Sequence, residues 1–264
     1  MSTLTKYTYR LLILSLLFAS CKKVIDVNLN NAPSQVVIEG IVNNQGPASV
    51  TITRSVRFSD NNSFPPVSGA VVKIRDNAGN SYQLLETTPG VYTHPNAVGV
   101  PGRTYSLQAI INQVSYTAGS TMPYPVNFDT LTADQLAFGN KVLKVVRPWF
   151  RDPDTLGNNY QFVEYVNRAL VQNIYTWNDY INNGGVYYRP LIYQAEDNHR
   201  DIASGDTVTV EMRCIDKAVF TYMRALADLN TNNITPANPP SNLSNGALGY
   251  FSAHTSQVKS VKIP

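Results

Sequence analysis

The chain has 264 residues, with 21 Lys and Arg against 18 Asp and Glu and a formal charge of +3. Lys6 and Arg10 are the only charged side chains among the first 20 positions, so the following 244 residues hold 19 basic (21 − 2) and 18 acidic groups, a charge of +1. That near balance excludes the basic stripe of a nucleic-acid-binding protein, and two cysteines exclude a disulfide-built scaffold.

The first stretch has three parts. Lys6 and Arg10 precede an apolar run from Leu11 to Phe18, and Ala19-Ser20-Cys21 follows. A positive region, a short hydrophobic segment and small residues before a cut site make a secretory signal over residues 1–20. A membrane span needs about 20 apolar residues, and this run is far shorter. A cysteine at the first mature position is the mark of a bacterial lipoprotein, so Cys21 is the predicted lipidation site. Two or three acyl chains, at ~0.8 kcal/mol per buried methylene, attach the protein stably to a lipid bilayer. Lipidation of Cys21 leaves Cys214 with no partner for an internal disulfide. Residues 21–34, rich in Asn and ending near Pro33, read as a flexible tether.

From Val36 the hydrophobic period is two. Val36, Ile38 and Val42 share a face, as do Val50 and Ile52, Val72 and Ile74, and Tyr105, Leu107, Ala109 and Ile111. Turn residues separate these runs: Asn43-Asn44-Gln45-Gly46, Pro65-Pro66, Asp76-Asn77-Ala78-Gly79, Pro89-Gly90 and Pro101-Gly102. About seven short strands at even spacing predict an immunoglobulin-like β-sandwich over residues 35–122. Pro123-Tyr124-Pro125 opens a linker assigned to 123–134. Residues 135–264 read as a second β-rich domain, with strands at 143–150, 160–172, 187–193 and 207–214 and closing strands at 248–253 and 257–263. One helix interrupts it at 216–229. Asp216 is its N-cap, and Val219, Tyr222, Met223, Leu226 and Leu229 form its apolar face. The fold class is therefore mainly β, a sandwich followed by a β-rich domain with one packed helix.

The residues offer no reaction centre. His94, His199 and His254 lie outside any nucleophile or metal motif and read as loop or strand-edge side chains. Asp152-x-Asp154 with Gly157 resembles a calcium loop, but Leu156 and Val163 occupy positions that require oxygen ligands. No metal or cofactor is expected, and Cys214, in phase with Val208, Val210 and Met212, reads as a core residue. Two features point outward. Trp177, Tyr180, Tyr187 and Tyr188 gather around Gly184-Gly185, a pattern suited to a glycan or peptide ligand. Asp129-Thr130-Leu131, Asp154-Thr155-Leu156 and Asp206-Thr207-Val208 repeat an Asp-Thr-aliphatic tripeptide, making Thr130, Thr155 and Thr207 candidate O-glycosylation sites.

Several stretches taken together resemble one family. They are Cys21 with Ile25-Asp26-Val27, Val36-Val37-Ile38-Glu39-Gly40, Gly90-Val91-Tyr92, Pro101-Gly102-Arg103-Thr104-Tyr105, Phe150-Arg151-Asp152-Pro153 and the segment from Asn238 to Phe251. The chain is similar to the Bacteroidota outer-membrane lipoproteins grouped as domain of unknown function 4249. The resemblance implies a non-enzymatic binding or docking accessory of a TonB-dependent uptake receptor. The alternative is a structural or adhesive envelope lipoprotein that binds glycan or matrix. Lys22-Lys23-Val24-Ile25-Asp26 lacks the acidic run of many surface-exported lipoproteins. The choice between a periplasmic and a cell-surface face stays open.

Overall fold

The computed structural model describes residues 33–57, 63–192, 200–229 and 238–264, so the predicted signal, Cys21, nearly all of the tether and His199 lie outside the described residues. Ser34–Pro264 forms one compact unit. Its first half contains β1 (Val36–Asn43), β2 (Pro47–Arg54), β3 (Val71–Asp76), β4 (Ser81–Thr88), β5 (Val91–Val98), β6 (Thr104–Ile111) and β7 (Val114–Thr121). The turn residues do what their chemistry predicts. The Asn43 carboxamide oxygen accepts from the backbone N–H of Gln45 and Gly46, and the Asp76 carboxylate accepts from Ala78 and Asn80. Asn112 and Gln113 take positive φ angles of 47° and 68°, the two-residue geometry that suits strand twist between β6 and β7.

Two layers form because β4 changes partner along its length. Ser81–Leu84 pair with β3 and the strand pairs with β5 from Leu85, with a register shift between Glu86 and Thr88. Ile38, Val50 and Ile52 come from one layer and Val72, Ile74 and Leu107 from the other, all at most 1% exposed in one core. Gly40 leaves no room for a side chain: an added Cβ would stand 2.8 Å from Phe251 and 3.3 Å from Leu107, which comes from the other layer. Alternation of apolar and polar residues thus becomes a buried sandwich interior.

The second half contributes β8 (Thr130–Phe138), β9 (Lys141–Arg151), β10 (Asn159–Val166), β11 (Ala169–Leu170), β12 (Tyr175–Asn178), β13 (Val186–Tyr187), β14 (Thr207–Ile215), α1 (Lys217–Leu229) and β15 (Leu248–Lys262). A small sheet ordered β13-β9-β8 faces the sheet containing β10, β14 and β15. Phe150, Tyr160, Phe162, Tyr187, Val208, Val210, Met212 and Cys214 fill the space between them. Among the described residues the fold is mainly β with one helix, as the periodicity predicts. Asp216 caps α1 through its carboxylate, which accepts from Val219 N–H at 2.9 Å. Val219 and Met223 are buried, and Tyr222 packs on Tyr250 with ring centroids 5.2 Å apart.

Four stretches differ from their sequence reading, the first being 187–193, whose described residues hold only the end of β13 (Val186–Tyr187) and an isolated bridge from Leu191 to Val146. The run 160–172 is a hairpin rather than one strand, because Asn167 and Arg168 take φ angles of 50° and 73° and reverse the chain. Residues 130–134, read as linker, open β8, whose alternation is masked by the polar side chains Thr132 and Asp134. The two closing strands are a single strand of 15 residues, since His254-Thr255-Ser256 contains no turn chemistry and continues the ladder.

β15 joins the two halves. Leu248–His254 run parallel to β1, and Thr255–Lys262 run antiparallel to β14. The segment before it seals the sandwich on the far side. Asn242 Nδ2 donates to the carbonyls of Phe251 (2.8 Å) and Gly119 (3.2 Å), and its Oδ1 accepts from Phe251 N–H at 2.9 Å. Ser244 exchanges backbone and hydroxyl bonds with Thr117, and Asn245 Nδ2 donates to Ser115 O. Asn and Ser side chains therefore cover the free edge of β7 where a strand would otherwise pair. Gly249 (φ +93°) is required at the start of the ladder, because an added Cβ would lie 2.2 Å from the Ile38 carbonyl oxygen.

Chemical denaturation should separate these two devices. Asn242→Ala removes a side chain that bridges two strands and should cost about 1–3 kcal/mol. Gly249→Ala should cost more than the ~1–3 kcal/mol of a strained backbone alone, because β1 and β15 must also move apart. Equal midpoints for Gly249→Ala and the wild type would contradict this account of the junction.

Candidate functional site

The four aromatic residues of the predicted ligand surface do not share one surface. Tyr187 is 2% exposed and stacks on Phe150 with centroids 5.0 Å apart and planes 10° from parallel. Its hydroxyl donates to Asn178 O at 2.8 Å. Trp177 is half-buried, 4.3 Å from Phe162 between ring centroids. These two rings are core. Tyr188 (53% exposed) and Tyr180 (88% exposed) face solvent on separate features, a platform and a tip.

The platform lies on the outer face of the β13-β9-β8 sheet. The alternation Arg147-x-Trp149-x-Arg151 sends these three side chains to the face opposite Phe150. Tyr188 stacks on Trp149 at 4.9 Å with planes 18° apart. Trp149 is held by its indole N–H, which donates to Thr132 Oγ1 at 2.9 Å. Arg147 pairs with Asp134 and also donates to Tyr188 O at 3.2 Å, and this guanidinium keeps the Asp134 carboxyl below the usual range. Trp149 was missed by the sequence reading, although the spacing of Arg147, Trp149 and Arg151 contained the signal. The arrangement is a fixed aromatic step bordered by two arginines, able to stack a planar or sugar ring and to bond an acidic group beside it.

The tip is built from two interlocked loops, 152–158 and 179–185. Asp179 (5% exposed) accepts from the backbone N–H of Gly157 at 2.6 Å and of Asn158 at 2.8 Å. Asp152 (1% exposed) accepts from Tyr160 OH and from Gly184 N–H at 3.1 Å. Burial raises the Asp152 pKa, against the lowering effect of those hydrogen bonds. In the loop that resembles a calcium site, Asp152 is thus taken up by Tyr160 and the Gly184 backbone. Leu156, Tyr180 and Ile181 project from it.

Other polar groups are sealed inside. Ser252 Oγ lies 2.9 Å from His254 Nδ1, but both residues are at most 2% exposed, so this pair has no route to a substrate. His254 is therefore a buried mid-strand residue rather than a strand-edge one. Burial, aided by the Arg213 charge, pushes its pKa down to about 3 and keeps the ring neutral. Glu211 bonds Arg213 (2.7 Å) and Ser256 (2.6 Å). Glu164, fully buried, meets Tyr175 OH at 3.1 Å through one oxygen, and its Oε1 has no hydrogen-bond partner among the described residues. Burial pushes its pKa up to about 7. Thr130, Thr155 and Thr207 are all exposed, at the start of β8, in the tip loop and at the start of β14. The Asp206 that precedes Thr207 is buried, and Arg200 holds its carboxyl far below the usual range.

Two measurements check these assignments. Asp179→Ala leaves two backbone N–H groups without their acceptor and should cost about 1–3 kcal/mol in denaturant unfolding, with faster hydrogen exchange at Gly157 and Asn158. Glu164 binds more protons folded than unfolded between about pH 4.5 and pH 7, so its contribution to stability falls as pH rises through that window. Glu164→Gln should remove that slope, so that between about pH 4.5 and pH 8 the variant gains up to about 3 kcal/mol on the wild type. Parallel stability–pH curves for the two proteins would refute the assignment.

No curated protein sequence matches the chain. Among solved structures, a chain from a cytokine receptor complex aligns over 86% of this chain and 95% of its own length, at 10% identity and a TM-score of 0.26. A superposition that loose carries no argument. Residues 22–260, by contrast, match the family described as "Domain of unknown function (DUF4249)". The chain belongs to that family.

Proposed function

We propose that the protein is a lipid-anchored outer-membrane lipoprotein that works as a non-enzymatic docking accessory of a TonB-dependent uptake receptor. The leader ending at Cys21 supports the anchor. The Trp149–Tyr188 platform is the observation that carries the binding role: exposed Tyr188 stacks on partly buried Trp149, which Thr132 fixes, and Arg147 bonds the Tyr188 carbonyl. Tyr, Trp and Arg are the residues that dominate protein interfaces when they stand on a rigid support. In this reading the sandwich nearer the anchor is a spacer, and the second half presents the contact surface.

Pull-down from detergent-solubilised outer membrane tests the proposal. Wild-type protein should recover a barrel receptor. Trp149→Ala and Tyr188→Ala, each folded by circular dichroism, should reduce recovery by about tenfold or more, the effect of an interface residue worth about 1.4 kcal/mol or above. Undiminished recovery with both variants would remove the platform from the interface, and no barrel in the wild-type sample would remove the receptor role. The free face of Tyr188 favours a second reading, adhesion to glycan or matrix. Specific glycan binding by wild type, lost in Tyr188→Ala and obtained with no barrel partner, would establish that reading instead.

A further inference from the structure

The tip stands apart from the platform and has its own chemistry. Leu156, Tyr180 and Ile181 are 81%, 88% and 81% exposed. Their support is not a loose loop. Asp179 grips Gly157 and Asn158, Asp152 grips Gly184, and Asn183 Nδ2 donates to Asp154 O at 2.9 Å. Three large apolar side chains are therefore presented to water on backbone whose shape is set beforehand, so ordering costs little when they become covered. Covering them would take that apolar surface out of water, which is how exposed apolar patches mark contact sites.

With Cys21 acylated, the length of chain before the compact unit keeps a bilayer within reach of them. Cys21 lies 13 residues (34 − 21) before Ser34, where that unit begins. Thirteen residues span at most about 45 Å. A body of this length has a radius of gyration of about 17 Å, so a bilayer holding an acylated Cys21 is always within about one body width. Such tethering turns a weak contact into an intramolecular one. The side chains suit that surface. Tyrosine belongs at headgroup depth, and Leu and Ile at the acyl boundary. At the foot of the tip Arg151, whose Nη1 donates to Gly184 O at 3.2 Å, offers a cation to headgroup phosphate. The Asp154 carboxylate lies against the Gly184 backbone, 2.3 Å from where a Cβ would be, rather than projecting with the apolar residues.

We propose that Leu156, Tyr180 and Ile181 insert into the interface of a phospholipid bilayer, as a second, non-covalent contact that orients the acyl-tethered protein. The inference rests on the anchoring reading, and the test separates the two. Acylated full-length Ile181→Trp, purified from membranes, is reconstituted with vesicles containing brominated phosphatidylcholine. Its emission, after subtraction of the wild-type signal from Trp149 and Trp177, should shift to the blue. Quenching should be about twofold or more stronger than for Leu85→Trp, a substitution at an exposed site on the sandwich. Flotation with the vesicles but no excess quenching overturns the insertion and leaves the anchor intact. Failure of the wild-type chain to float overturns the anchor, and the insertion with it. Shielding of the added indole of Ile181→Trp only when a protein partner is present, with none from lipid, also overturns the proposal.

Discussion

The structure depends on one strand that serves two cores. β15 pairs with β1 along its first half and with β14 along its second, and Thr255 marks the exchange. Phe251 and Ala253 enter the sandwich core, while Cys214, in register with Thr255, lies in the second core. A ladder of backbone hydrogen bonds is stiff along its length. The sandwich and the aromatic-rich half therefore share a rigid axis instead of a hinged linker. Gly249 and Gly40 mark where this arrangement is tightest, one against a backbone carbonyl and the other against two core side chains.

Carboxylates and carboxamides hold the irregular parts. Asn43 and Asp76 shape the sandwich turns, Asn242 closes the β7 edge, and Asp152 and Asp179 fix the tip. In each case a short side chain accepts from or donates to backbone that the sheets leave unpaired, which removes the cost of burying such groups. The segment that carried the most family resemblance, Asn238–Phe251, acquires a structural explanation on these grounds. Its Asn and Ser residues substitute for a missing strand, and Gly249 lets the following strand approach β1.

Local periodicity made much of this readable. Alternation located β1, β2, β3 and β6 and the turn residues gave the number of sandwich strands, while Asp216 with its 3.6-residue stripe located the helix, because these signals are local and strong. Partner choice was not readable. Nothing in Leu248–Lys262 indicates parallel pairing with β1, and the Asn167-Arg168 turn has neither Gly nor Pro to announce it. The binding surface was read in part. Counting aromatics found Tyr180 and Tyr188 but also collected Trp177 and Tyr187, which the core claims, since aromatic content does not say which side of a sheet a ring occupies. Trp149 escaped because its face depends on the register of β9.

The chain order of β1 and β15 bears on how the protein is made. Val37 meets Leu248, a partner synthesised 211 positions later (248 − 37). Contacts at that separation form slowly, after the loop between them has been closed. During synthesis β1 therefore keeps one of its two edges bare until residues 248–254 have been made. That edge, the one β15 covers, is exposed for nearly the whole of synthesis and closes only with the last strand.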